Sequence, residues 1–176
     1  MLLTATLSLL LMQQAPAENV DWDAEFGVEE VERDPATGEI PVEPYEQKNE
    51  NAGARPFTGT DMAETFGGRD GIRQIAERGV EINFADPRIQ GIFAGHDEVR
   101  LRRTIFEQFC YILNAGCDYT GRDMKSSHEG LGSRKADLNA IVENLQQAMQ
   151  EQDVPFAAQN RFLSKLAPMS RDVINR

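Results

Sequence analysis

Residues 97–132 read DEVRLRRTIFEQFCYILNAGCDYTGRDMKSSHEGLG, and this stretch decides the fold. Asp97 is a favourable N-cap. After it, apolar residues recur at three- and four-residue steps, which predicts a helix that ends at about Asn114. A glycine-containing loop follows, and His128 stands beyond it in a short turn. A neutral imidazole in such a turn serves as a nitrogen ligand to a metal, as a loop hydrogen bonder or as a solvated side chain.

The rest of residues 58–176 has the same helical periodicity. One helix is predicted to end at Asp86-Pro87, because a proline disfavours helical backbone in the residue before it. A second is predicted to begin at Ser133 as its cap, and a last one to begin at Asp153 and Pro155 and to continue through Val173. No strand-like alternation interrupts them, so the residues predict an all-α domain of four main helices.

From Phe66 to the C-terminus the chain resembles the truncated haemoglobins, most closely their group I members. The motifs that carry the resemblance occur in order: Phe66-Gly67-Gly68, Ala85-Asp86-Pro87-Arg88-Ile89, Ile92-Phe93-Ala94-Gly95, Asp97, Leu101-Arg102-Arg103, Glu107-Gln108-Phe109-Cys110 and the run 119–132. The resemblance implies a truncated globin fold, a two-over-two helical sandwich, and haem (iron protoporphyrin IX) as the cofactor.

The resemblance also implies roles for individual residues. His128 would bind the iron from the proximal side, with its other ring nitrogen held by a backbone carbonyl one turn earlier. Met124 would pack on the porphyrin face and Phe93 would wedge the ring, although both side chains also suit ordinary core packing. Arg100, Arg103 and Lys125 could reach the haem propionates, or be ordinary solvated charges.

The distal side departs from the familiar pattern. The tyrosine that group I proteins commonly place in the second helix aligns with Val80, with Gly79 beside it where an aromatic residue is usual. Leu101, Thr104 and Ile105 line the opposing helix, and only Thr104 is polar. A missing donor puts oxygen storage and nitric-oxide dioxygenation in doubt, since both need a durable oxygen complex.

We therefore expect a haem-binding globin that binds a diatomic gas ligand (oxygen, nitric oxide or carbon monoxide) at a His128-ligated iron. One alternative is a haem-dependent redox enzyme that turns over nitric oxide or peroxide with an unknown redox partner. Another is a globin-shaped interaction module without haem. The residues assign no catalytic side chain, so enzymatic turnover stays open.

The net charge of −11 is unevenly distributed. Residues 18–57 contain twelve acidic and three basic side chains, a net charge of −9, which leaves −2 for residues 58–176. Acidic segments repel phosphate backbones and no basic stripe occurs elsewhere, which argues against nucleic-acid binding. Four prolines and few large apolar residues predict that residues 18–57 form a disordered, flexible acidic linker.

Residues 1–17 lack charged side chains and contain the apolar stretch from Leu2 to Met12, followed by Ala15-Pro16-Ala17. This pattern predicts a signal peptide cleaved after Ala17, and hence a periplasmic or secreted protein. The apolar stretch is short of the roughly twenty residues of a spanning helix, so no stable membrane span is expected. No basic residue precedes it, and a cytoplasmic protein is the alternative.

The chain has two cysteines, Cys110 in a predicted helix and Cys117 in the loop after it. We favour a buried thiol and a loop thiol, with a disulfide as the alternative in an oxidising compartment.

Overall fold

The computed structural model describes residues 31–176, and residues 1–30, including the predicted signal peptide, lie outside the described residues. Within the described part all regular elements are helical. The α-helices are α1 (Asp61–Thr65), α2 (Gly68–Ala85), α3 (Gln90–Phe93), α4 (Glu98–Ile112), α5 (Met124–His128), α6 (Lys135–Glu151), α7 (Phe156–Leu166) and α8 (Ser170–Val173). Short 3-10 helices cover Asn49–Ala52 and Ala167–Met169.

Most helix boundaries follow the predicted signals. The Asp97 carboxylate accepts a hydrogen bond from the Val99 amide and caps α4, and α2 ends before Asp86-Pro87. The predicted Ser133 cap is wrong, since α6 begins at Lys135 and the Ser133 hydroxyl donates to the Val173 carbonyl instead. The predicted last helix is interrupted around Pro168, which cannot donate a helical hydrogen bond.

The core forms where the four long helices meet. Helix α2 packs against α4 and α6, and α6 packs against α7. Phe162 of α7 is fully buried and makes edge-to-face contacts with Phe66, at 5.3 Å between ring centroids, and with Phe109 of α4, at 5.0 Å. This geometry is favourable for aromatic rings and ties α7 to α4.

Cys110 and Cys117 form a disulfide, which corrects the preference for two separate thiols. Helix α4 ends at Ile112, and the chain turns back at Asn114 (φ 62°) and Gly116 (φ 79°). This turn brings the two Cα atoms to 5.6 Å, within bridging distance. The bridge fixes the end of α4 to the loop that leads to His128.

The flexible-linker prediction is wrong for residues 33–57, which we call the strap. These residues belong to the same compact unit as the helical domain. The Tyr45 hydroxyl donates to the Thr120 carbonyl at 2.9 Å, and the side-chain amide of Asn51 donates to the Gly121 carbonyl at 3.1 Å. The strap has few apolar residues, but its polar groups find partners on the domain, which composition alone does not show.

Glu39 is the principal charged anchor of the strap. Its side chain is 7% exposed and forms ion pairs with Arg103 and, at 3.2 Å, with Arg100, both on α4. The backbone amide of Ile40 donates to the Asp97 carboxylate at 2.8 Å, so the strap also engages the cap of α4. The buried carboxylate is thus neutralised by two guanidinium groups, as a buried charge requires.

We predict that Glu39→Gln lowers the free energy of unfolding by about 1 to 3 kcal/mol, because Arg100 loses its carboxylate partner and Arg103 keeps only Glu107. The expected loss is below that of a fully buried pair, since Arg100 and Arg103 are 23% and 32% exposed. Urea unfolding measures it, with Glu43→Gln, an exposed carboxylate of the same strap, as the control. Equal losses in the two variants would contradict the anchor role.

Candidate functional site

The turn that carries His128 is built by local hydrogen bonds. The Asp123 carboxylate caps α5 by accepting from the Ser126 amide at 3.0 Å and from the Ser126 hydroxyl at 2.7 Å. These two hydrogen bonds hold the pKa of Asp123 below its usual range, so the cap is ionised at neutral pH. Gly130 and Gly132 follow with φ of 80° and 65°, where the left-handed backbone favours glycine.

His128 is the last residue of α5 and is half-buried. Its Nδ1 lies 2.7 Å from the Met124 carbonyl oxygen, the hydrogen bond expected one turn earlier. A carbonyl can only accept, so Nδ1 carries the proton, and Nε2 of the neutral ring keeps its lone pair. No residue of 31–176 forms a hydrogen bond with Nε2. This arrangement has the tautomer and orientation of a metal-ligating histidine.

The C-terminal residues brace the same turn, which the sequence did not reveal. The Asn175 side-chain amide donates to the His128 carbonyl at 2.6 Å, and the Asn175 backbone amide donates to the Ser133 carbonyl at 3.1 Å. Helix α5 also packs against α8. Since these contacts join residues more than forty positions apart, no local pattern could have predicted them.

Met124 lies between His128 and the core. Its side chain packs against the hydrophobic core, and its Sδ lies 3.3 Å from Nε2 of Gln108 on α4. The packing suits either a porphyrin contact or ordinary core, so the contact role stays a prediction. Gln108 entered the sequence analysis only as part of a motif, and its contact with Met124 was not foreseen.

The predicted distal residues lie on two helices that pack together. Val80 of α2 is fully buried, and Leu101 and Ile105 of α4 are partly buried. The Thr104 hydroxyl donates to the backbone carbonyls of Arg100, at 3.0 Å, and Leu101, at 3.3 Å. The one polar side chain of the predicted distal set is therefore already engaged by its own helix.

Gly79 adds space next to Val80. It is buried, yet a Cβ built there would meet no atom of another element within 4 Å. In group I proteins this position usually holds an aromatic residue, so this chain has room on α2 where others have a ring.

Phe93 of α3 is partly exposed and pairs with Phe84 of α2, with ring centroids 5.5 Å apart. Phe84 was not singled out from the sequence, because this residue lies at the end of α2 and its contact with Phe93 depends on the position of α3. Further large apolar side chains also stay partly exposed on α2, α4 and α6, among them Ile82, Leu101, Ile105, Leu138, Ile141 and Val142. A flat apolar group that covered such side chains would gain roughly 25 cal/mol per Å² of apolar area removed from water.

The predicted propionate partners have different surroundings. Arg100 donates to the Ile40 carbonyl and pairs with Glu39, and Arg103 pairs with Glu39 and Glu107. Both guanidinium groups are thus engaged by the strap or by α4. Lys125 is exposed and forms no ion pair with the described residues, so it is the predicted cation best able to meet a propionate.

An all-α domain of four long helices, with an imidazole presented from a short turn and with partly exposed apolar side chains on α2, α4 and α6, has the features of a globin-type protein. The chain belongs to the bacterial-like globin family, whose model matches residues 58–175. This match confirms the expected globin family, and together with the similar truncated haemoglobins it confirms the truncated globin group and the all-α, two-over-two fold class and supports haem as the cofactor.

Individual relatives agree with this assignment. Group 1 truncated hemoglobin GlbN of Mycolicibacterium paratuberculosis is 26% identical over 110 residues, which cover 62% of this chain and 81% of that protein. The protein of the same name from Nostoc commune is 24% identical over 115 residues, or 65% of this chain and 98% of that one.

Solved structures show the same fold. Truncated hemoglobin from Tetrahymena pyriformis in its Fe(III) form superposes with a TM-score of 0.62 at 21% identity, covering 65% of this chain and 98% of that one. The 2/2 hemoglobin of Synechococcus sp. PCC 7002, in the cyanomet state with covalently attached heme, gives 0.60 at 23% identity with the same coverage.

Proposed function

We propose that this globin holds haem with Nε2 of His128 as the axial ligand and binds a diatomic gas on the opposite side. The observation that carries the proposal is the hydrogen bond from His128 Nδ1 to the Met124 carbonyl, which leaves the Nε2 lone pair free. A single imidazole is sufficient for iron whose equatorial ligands come from a porphyrin.

The remaining predicted site residues then have distinct roles. Met124 and Phe93 contact the ring, Lys125 meets a propionate, and Val80, Leu101 and Ile105 form an apolar wall at the distal side. Arg100 and Arg103 are assigned to the strap through Glu39. The haem iron, when bound, supplies the coordination site for the gas ligand.

An apolar distal wall favours ligands that need no hydrogen-bond donor. The Thr104 hydroxyl points to backbone carbonyls, and the Gln108 amide donates to the Ala52 carbonyl at 2.9 Å and contacts Met124. Neither group is free to stabilise oxygen, whereas carbon monoxide and nitric oxide depend less on a donor. We therefore propose fast oxygen release and retained carbon monoxide and nitric oxide binding.

We also propose that the protein is exported. The Cys110–Cys117 disulfide supports this, because disulfides persist mainly in oxidising compartments. The predicted cleavage site after Ala17 lies outside the described residues. Among residues 31–176, no helix is both long and apolar enough to cross a membrane.

The axial-ligand assignment predicts that His128→Ala abolishes or grossly weakens haem binding. The wild-type protein should take up about one haem per chain, and the variant should lose the axial bond that holds it. Titration of the apoprotein with haem, followed by the Soret band, measures this. His96→Ala, which changes the other, exposed histidine, is the control and should bind as the wild type does. An unchanged His128→Ala titration would contradict the assignment.

The distal assignment predicts that Val80→Tyr slows oxygen dissociation. The new hydroxyl would contribute about 1 to 3 kcal/mol, and each 1.4 kcal/mol slows release about tenfold. Stopped-flow release of oxygen and of carbon monoxide measures the effect, and carbon monoxide release should change less. Val80→Phe adds the ring without the hydroxyl and separates bulk from hydrogen bonding. A wild-type oxygen rate as slow as that of Val80→Tyr would show that a donor already exists.

Export predicts that protein recovered from the exported fraction begins at Glu18 and contains no free thiol. Mass spectrometry after alkylation without reductant measures both the N-terminal residue and the number of free thiols. A cytosolic chain that retains Met1 and carries two alkylated cysteines would contradict the proposal.

A further inference from the structure

The strap reaches the turn that holds His128, and Gln108 makes the connection. Gln108 is 9% exposed, and its Nε2 donates to the Ala52 carbonyl of the strap at 2.9 Å. The same nitrogen lies 3.3 Å from Met124 Sδ and 3.7 Å from Met169 Sδ. One buried amide therefore connects the strap, α4 and the residue whose carbonyl holds the histidine ring.

Gly53 makes a second, independent contact between the strap and Met124. A Cβ at Gly53 would lie 3.0 Å from Met124 Cγ and 2.9 Å from Met169 Sδ, closer than real Cβ atoms normally come. Its φ of 80° ends the 3-10 helix Asn49–Ala52 in a left-handed turn. The strap thus packs on Met124 so closely that a Cβ at Gly53 would require the Met124 and Met169 side chains to shift.

We propose that residues 49–53 of the strap are a positioning element for the axial ligand, acting through Gln108 and Met124 on His128. This inference rests on the proposed function, because the positioned nitrogen is the one that would bind iron. The strap lies outside the region that the globin family matches, residues 58–175, so the element is an addition to the globin domain of this chain.

The physical effect is transmitted by the Met124 backbone. Its carbonyl accepts the Nδ1 proton of His128 at 2.7 Å, and a strong hydrogen bond there raises the basicity of Nε2. Displacing Met124 lengthens that hydrogen bond, weakens the basicity of Nε2 and loosens the iron–histidine bond. Changes of such outer contacts typically cost about 10-fold or more in metal affinity.

Gly53→Ala tests the element, and Gly59→Ala is its matched control. Both glycines have left-handed backbone, with φ of 80° and 73°, so alanine strains the two backbones alike. A Cβ at Gly59 meets nothing within 4 Å, whereas a Cβ at Gly53 meets Met124 and Met169. Any difference between the variants therefore comes from the contact with the two methionines.

The first readout is the iron–histidine stretching band in the resonance Raman spectrum of the ferrous haem-loaded proteins. We expect Gly53→Ala to move the band to lower wavenumber and to raise the haem dissociation rate about 10-fold. Gly59→Ala should match the wild type in both. A Gly53→Ala band at the wild-type position would overturn the proposal.

The second readout uses the apoprotein, so it does not depend on haem. The chain has two histidines, so imidazole nitrogen NMR shows two ring systems, and His96→Ala assigns them. We expect the nitrogen chemical shift of His128 Nδ1 to differ from the wild-type value in Gly53→Ala and to match it in Gly59→Ala. If the wild type lacks haem but this shift pattern holds, the proposed function fails and the strap contact survives; unchanged shifts overturn the contact itself.

Gln108→Leu provides an alternative if Gly53→Ala does not fold. Leucine removes the amide that donates to the Ala52 carbonyl and places an apolar side chain of similar size beside Met124. We expect the same direction of band shift as in Gly53→Ala. A wild-type band in Gln108→Leu would overturn the role of Gln108.

Discussion

The hydrogen bond between His128 Nδ1 and the Met124 carbonyl is the interaction on which the site depends. It exists because Asp123 caps a helix of five residues, and this helix is long enough to place a carbonyl one turn before the imidazole. The bond fixes the tautomer, and the tautomer decides which nitrogen is available to a metal. The other contacts of the turn, from Asn175 and from Gln108, hold the two ends of this bond in place.

The acidic composition of the strap has a structural role. The Glu39 carboxylate forms ion pairs with Arg100 and Arg103. These two arginines, which the resemblance offered as partners of the haem propionates, are therefore neutralised by a carboxylate of the same chain. Lys125 is left as the exposed cation near His128. The same strap continues to Gly53, where it meets Met124. A segment with few apolar residues thus contributes to the domain through ion pairs and backbone hydrogen bonds.

Local signals predicted most of the fold. Asp97 as a cap, Pro87 as a stop and the apolar stripes of the four long helices required only neighbouring residues, and the position of His128 in a turn followed from the glycines around it. Ser133 failed as a cap because its hydroxyl is engaged by Val173, forty residues away. The Glu39 cluster was missed for the same reason, since Glu39 and Arg103 are 64 residues apart. The choice between two thiols and a disulfide depended on the turn at Asn114 and Gly116, and the Phe84–Phe93 pair on the position of α3, neither of which the periodicity of a single helix gives.

A crystal structure of the haem-loaded protein in its carbon monoxide form tests the central claim most directly. The account predicts an iron bond to Nε2 of His128, with Nδ1 still on the Met124 carbonyl. It also predicts that Val80, Leu101 and Ile105 surround the gas, with no side-chain donor within hydrogen-bonding distance of it. Iron held by another residue, or a polar side chain turned toward the gas, would contradict it.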